Sequence, residues 1–336
     1  MRYIDGGVCA SKGFKATGLN AGIKNNVKKD MALVFSEMPC VKAGTFTTNR
    51  VCAAPVKWDK KVVFESKSAQ AIVVNSGIAN ACTGEEGYEK CREMAAKTAE
   101  KLGIDEDAVL VASTGVIGKQ LPMDIIGKGI DRLPGQLGET AADAALAAEA
   151  IMTTDTKSKQ VAVEVEIDGK MVHIGGMCKG SGMIHPNMAT MLCFITSDAA
   201  VDEKLLQNMV RAIVDDTFNM ISVDGDTSTN DSVLLLANGM AGNKKIENEN
   251  SAGYKEFYDA LFYILCELSK KIAGDGEGAT CLFEVQMKNV KTKADAKILA
   301  KSVITSNLTK AAIYGHDANW GRILCALGYS GVTFDP

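Results

Sequence analysis

With 336 residues, 46% hydrophobic and 23% charged, the chain can build one large or two ordinary domains around a sizeable core without help from metals or disulfides. A net charge of -4 with both signs scattered gives no electrostatic footprint for nucleic acid or an anionic membrane, which leaves small molecules as the expected partners. Residues 1–12 lack the apolar core of a signal peptide and no apolar run is long enough to span a bilayer, so the expected compartment is the cytoplasm.

The ten cysteines are dispersed without any C-x-x-C spacing, and Cys193, Cys266 and Cys325 sit among apolar or small neighbours. They read as reduced core residues. The histidines are His173, His185 and His316, with no paired Cys/His spacing, so no zinc site is expected.

In chain order, short apolar runs at 31–35 and 71–74 end in polar or glycine-containing turns and predict strands. Residues 85–102 place Cys91, Met94, Ala95, Thr98 and Leu102 at helical spacing, which predicts an amphipathic helix ending near Gly103. The strand-like run 109–112 enters Ser113-Thr114-Gly115-Val116-Ile117-Gly118, a glycine-bearing turn able either to end a strand or to offer backbone N–H groups to an anion. Helices are expected at 123–133 and 139–152, followed by the threonine-rich exit Thr153-Thr154-Asp155-Thr156.

Strict alternation at Val161, Val163, Val165 and Ile167, then Asp168-Gly169, then 171–174, predicts a β-hairpin with a two-residue turn and a structural His173. Beyond it, 190–196 reads as a buried strand, 202–218 as a helix and 233–237 as a strand. The acidic run 224–231 lacks the glycine and glutamate that an EF-hand loop needs at its sixth and twelfth positions, where Thr229 and Leu235 stand. Residues 254–272 form a strong helical pattern, followed by Gly276-Glu277-Gly278 and a strand-like run at 281–285. Helix, loop, strand is the reverse of a phosphate cradle, so nucleotide binding is disfavoured. A helix at 293–302, a strand-like 311–313 and a helix start near Asn319 complete the chain. Alternating strands and helices in both halves argue an α/β fold of layers with a mixed sheet.

The stretch KGSGMIHPNMATML at 179–192 sets a flexible polar run directly before Thr190. A threonine hydroxyl is a weak nucleophile without an adjacent base, but an N-terminal threonine carries its own in an α-amino group of pKa about 7.7 to 8. Before cleavage the same hydroxyl could attack the carbonyl of Ala189, with Gly180, Gly182 and Pro186 supplying a bend. On residues alone, Thr190 reads more readily as an ordinary β-branched start to a strand.

This stretch resembles the self-cleavage site of the bifunctional ornithine acetyltransferase / glutamate N-acetyltransferase family of arginine biosynthesis. So do STGVIG at 113–118, IMTTDT at 151–156, DGDTSTND at 224–231, GEGAT at 276–280 and GHDANWGR at 315–322, in the family's order over nearly the whole chain.

The resemblance implies an N-terminal-nucleophile-like αββα fold, with mixed β-sheets sandwiched by helices. It implies cleavage between Ala189 and Thr190, giving an α chain (1–189) and a β chain (190–336) that stay associated, with an α2β2 assembly. It implies ping-pong transfer of an acetyl group from N-acetylornithine to glutamate through acetyl-Thr190. No cofactor is implied; some members accept acetyl-CoA as donor. Thr114 and Gly115 match the oxyanion pair, and Thr153, Lys179 and Glu277 the substrate contacts. A zwitterionic amino acid needs a cation for its carboxylate and an anion for its ammonium, so Lys179 is assigned the first and Glu277 the second. Family members continue for several dozen residues past this point with further site residues, so a fragment, or a pocket open on one side, is expected. The competing readings are a related self-processing amidohydrolase or aminopeptidase and an unprocessed, inactive chain.

Overall fold

The computed structural model describes residues 1–24, 27–185 and 191–335. The strands are β1 (Arg2–Ile4), β2 (Phe14–Leu19), β3 (Met31–Phe46), β4 (Ala69–Ile78), β5 (Val109–Val116), β6 (Lys159–Ile167), β7 (Lys170–Lys179), β8 (Leu192–Ser197) and β9 (Ser232–Ala237). The helices are α1 (Ala54–Glu65), α2 (Gly84–Leu102), α3 (Met123–Arg132), α4 (Ala141–Ala150), α5 (Glu203–Asp216), α6 (Tyr254–Ala273), α7 (Lys293–Thr305), α8 (Asn307–Tyr314) and α9 (Trp320–Gly328).

The long strand β3 organises the sheets. Its first part pairs antiparallel with β2 and β4, and β4 runs parallel to β5. A register shift between Phe35 and Cys40 turns the strand, and its second part pairs with β9. Bulges of this kind re-aim a strand from one sheet to another. From β9 the order continues β8, β7, β6, β1.

One core packs α5 and α6 on one face of the β6–β9 sheet, through Val163, Ile195, Leu235, Ile213 and Leu265. Met177, Phe194 and Leu234 join a second core with the β2–β5 strands and helices α1 to α4. This is the expected arrangement of mixed sheets between helices.

Local signals explain most elements. Gly103 ends α2 in the left-handed region at φ 67. Asp168 and Gly169, both at positive φ, form the turn that puts Ile167 opposite Lys170. Asp202 caps α5 by accepting from Lys204 N and Leu205 N. His173 is structural, as expected: its Nδ1 lies 2.7 Å from Asp198 Oδ2, and Asp198 Oδ1 accepts its backbone N–H.

Two expected strands are not formed. Residues 281–285 are irregular, with Leu282 45% exposed. An apolar run becomes a strand only where a sheet edge receives it, and no described strand pairs with this one. Residues 311–313 are helical, within α8, because Ser306 caps that helix by accepting from Thr309 N at 3.2 Å and Ala312 packs its buried side.

Candidate active site

A cavity of about 480 Å³ opens where the ends of β4, β5 and β7 meet the starts of β8 and β9. Thr114, Gly115, Thr153, Lys179 and Glu277 all line it, although they come from four separate segments of the chain.

Lys179, the last residue of β7, is the hub. Its Nζ donates to Thr153 Oγ1 at 2.7 Å and to Thr114 Oγ1 at 3.2 Å. Asp155 Oδ2 stands 3.9 Å from the same ammonium. Burial pushes the Lys179 ammonium below its ordinary pKa, with Asp155 opposing and Lys159 reinforcing the fall.

Asp155 ties the hub to its surroundings. Its carboxylate accepts from Gly180 N at 2.7 Å, from Thr153 N at 3.1 Å and from Lys159 Nζ at 2.7 Å. Burial works to raise its carboxyl, but the Lys179 and Lys159 charges outweigh this and hold it below the usual range. Lys159 reaches on to Asp275 at 2.6 Å, and Ser181 Oγ donates to Asp275 O at 2.8 Å. This chain of contacts fixes the Thr153 turn, the Lys179–Gly180 bend and the Gly-Glu-Gly loop relative to one another.

Glu277 enters the cavity beside Gly182, where an added Cβ would lie 2.8 Å from Glu277 Oε1. Gly182 therefore makes room for the acid, and the left-handed bend falls on Met183, at φ 56, instead. A non-glycine residue there costs about 1–2 kcal/mol. Gly115 has φ 131, and a Cβ on it would lie 2.2 Å from the Gly77 carbonyl carbon, so only glycine fits the turn.

Ala189 and Thr190, the expected cleavage pair, lie outside the described residues, as does Pro186. The chain on either side is firmly held. Ahead of that pair, Ile184 N donates to Asp224 Oδ1 at 2.8 Å and Thr227 Oγ1 donates to His185 O at 3.1 Å. After it, Ser232 N donates to Met191 O at 3.0 Å. The loop between these contacts also carries Asn230, whose amide donates to Ser113 O at 2.8 Å and Ala79 O at 2.6 Å. The acidic run 224–231 thus ties Ile184 and His185, ahead of the expected cleavage segment, to the glycine turn.

A match to the ArgJ family covers residues 15–336. The chain belongs to the ArgJ family. It is 56% identical over 339 residues to the arginine biosynthesis bifunctional protein ArgJ of Symbiobacterium thermophilum, covering 100% of this chain and 83% of that protein. It is 50% identical over 338 residues to the glutamate N-acetyltransferase of Methanocaldococcus jannaschii, covering 100% and 81%.

Two solved structures agree. The Bacillus halodurans ArgJ crystal structure is 44% identical with a TM-score of 0.53, covering 55% of this chain and 94% of that one. Ornithine acetyltransferase of Mycobacterium tuberculosis, solved with ornithine, is 40% identical with a TM-score of 0.50, covering 54% and 95%. As a member of the ArgJ family the chain is an acyltransferase of arginine biosynthesis.

Among ArgJ-like blocks, the one at 315–322 does not line the cavity; it joins α8 to α9, with Trp320 70% exposed. Sequence reasoning missed Asp155, Lys159, Asp275 and Asn230 as site residues. Asp155 and Asn230 stand inside stretches singled out from the sequence, but only burial separates an acid that orders a site from one that is solvated. Among the described residues, no helix is long and apolar enough to cross a membrane.

Proposed function

We propose that this enzyme transfers an acetyl group from N-acetylornithine to glutamate through an ester on Thr190, after cutting itself between Ala189 and Thr190. The observation that carries this reading is that Met183 and Met191, which flank the cleavage segment, line the same cavity as Thr114, Gly115, Lys179 and Glu277.

In maturation the Thr190 hydroxyl attacks the Ala189 carbonyl, the peptide nitrogen leaves as the Thr190 α-amine, and water hydrolyses the resulting ester. In turnover the α-amine takes the hydroxyl proton as Thr190 attacks the acetyl carbonyl, then returns it to the departing ornithine nitrogen. The glutamate α-amine next attacks the acetyl ester and restores the hydroxyl. Negative charge builds on the carbonyl oxygen in each step, and Thr114 with Gly115 is suited to receive it. Because Thr114 Oγ1 accepts from Lys179, its own hydroxyl proton is left to donate. Lys179 and Glu277 supply the cation and anion that hold the substrate's charged groups. No cofactor takes part; acetyl-CoA, as an alternative donor, would load the same threonine.

The two chains would remain together after the cut, because β8 and β9 lie between β7 on one side and β3 on the other. The coverage figures support cleavage: each solved chain matches over 94% or 95% of its own length yet spans only 55% or 54% of this one. An α2β2 assembly built from such halves is part of the proposal.

Intact-mass analysis with N-terminal sequencing tests the reading. The wild type is expected to give two fragments, one beginning at Thr190, and Thr190→Ala a single chain with no transfer of acetyl to glutamate. An alanine variant that cleaved normally would overturn the mechanism, and acetate release at equal rates with and without glutamate would overturn the transferase assignment.

A further inference from the structure

Both substrates of the proposed transfer react at the α-nitrogen, so both bring an α-carboxylate to the same position. They differ at the far end, where ornithine carries an ammonium and glutamate a second carboxylate. A site serving both needs one anion and two cations within reach of a single bound amino acid. Lys179 and Lys24 are the lysines among the residues described as lining the cavity, and no arginine joins them.

Lys24 is held as a built feature. Asp30, fully buried, accepts from the backbone N–H groups of Ala21, Gly22, Ile23 and Lys24 at 2.7, 3.2, 2.6 and 3.1 Å. Four N–H groups on one carboxylate fix the turn that delivers Lys24. The side-chain stem passes Gly77, where an added Cβ would sit 3.0 Å from Lys24 Cγ. The ammonium donates to Lys29 O at 3.1 Å and to Met152 O. Met152 directly precedes Thr153, whose hydroxyl accepts from Lys179, so the two ammonium groups are anchored on adjacent residues. A lysine has three donors, enough to hold both carbonyls and a ligand oxygen.

We propose that Lys24 is the acceptor-specificity residue, pairing with the side-chain carboxylate of glutamate while Glu277 serves the side-chain ammonium of ornithine. The assignment rests on the acyl-transfer reading. Its electrostatics agree: burial brings the Lys24 ammonium down to about 8, opposed by Asp30 and Asp155 and reinforced by Lys179 and Lys28. An entering carboxylate is the partner that would stabilise its charged form.

The test separates the half-reactions in Lys24→Met, which keeps the stem and removes the charge. Ornithine release from N-acetylornithine in a single turnover is expected to change by less than about threefold, whereas the KM for glutamate rises about 10- to 100-fold, the range of one charged hydrogen bond. Lys24→Arg should recover most of that loss. Equal losses in both half-reactions would make Lys24 a structural tether and overturn the inference, as would an unchanged KM for glutamate.

If the methionine variant folds poorly, the wild type carries the same test. Its preference for glutamate over glutamine, a neutral acceptor with the same attacking amine, should decline as pH rises through about 8, because the lysine loses its proton there. A preference flat across that range overturns the proposal. A folded wild type that releases no ornithine would overturn the acyl-transfer reading and this inference with it, an outcome distinct from an active enzyme indifferent to Lys24.

Discussion

Gly115 and Gly77 meet at the cavity mouth as paired residues of β5 and β4. Their contact is too close for a side chain on Gly115, and its φ of 131 is a conformation that L side chains rarely adopt. Gly115→Ala must therefore shift the turn or push β4 aside. If this turn stabilises the oxyanion, displacement should lower kcat for acetyl transfer by about 10²- to 10³-fold, the usual cost of losing one such donor, with a smaller change in KM. Steady-state kinetics with N-acetylornithine distinguish the cases, and a change confined to KM would remove the oxyanion role. Asp155 acts at the same scale without touching the cavity floor: it turns Thr153, Gly180 and Lys159 toward fixed positions around Lys179.

At the scale of elements, helix α4 delivers Thr153 and Asp155 from its C-terminal end and rests on β2. The approach is too close for a side chain: a Cβ on Gly18 would lie 2.0 Å from Leu146 O and 2.8 Å from Ala150 Cβ. Gly18→Ala should force the helix outward at a cost of about 1–3 kcal/mol. Thermal unfolding should show a lower Tm, and the KM for N-acetylornithine should rise because the Thr153 turn moves with the helix. Gly135→Ala is the control, since nothing lies within 4 Å of a Cβ there and no strained φ is involved. A Gly18→Ala protein as stable as the wild type would mean that α4 has room to slide.

Across the whole molecule the two halves are interleaved, not stacked. The sheet runs β1, β6, β7 from residues before the cleavage site, then β8 and β9 from after it, then β3, β4 and β5 from before it again. Both cores draw side chains from both halves, with Phe194 and Val73 in one and Leu265 and Val163 in the other. Separating cleaved chains would break the β7–β8 and β3–β9 ladders together and expose both cores. The mature fragments are therefore expected to co-elute in gel filtration under native conditions, to separate only in denaturant, and to unfold in one cooperative transition. Two resolved transitions, or a fragment lost on dilution, would contradict this.

The sequence by itself determined the elements whose signals are local and strong. Helix α2 followed from its apolar spacing and Gly103, the β6–β7 hairpin from alternation and Asp168-Gly169, and α6 from its continuous apolar face. The blocks that carry the resemblance to the family placed Thr114, Gly115, Thr153, Lys179 and Glu277 as site residues before any geometry was known. Local pattern failed where a distant partner chooses the outcome. Residues 281–285 have strand composition but no described strand beside them, and 311–313 turn helical under the Ser306 cap. Only the tertiary structure joined four separated segments around one cavity, added Lys24 to its wall and buried Asp155 behind Lys179. Those decisions depend on desolvation and on which charges meet, and a linear sequence fixes neither until the strands are paired.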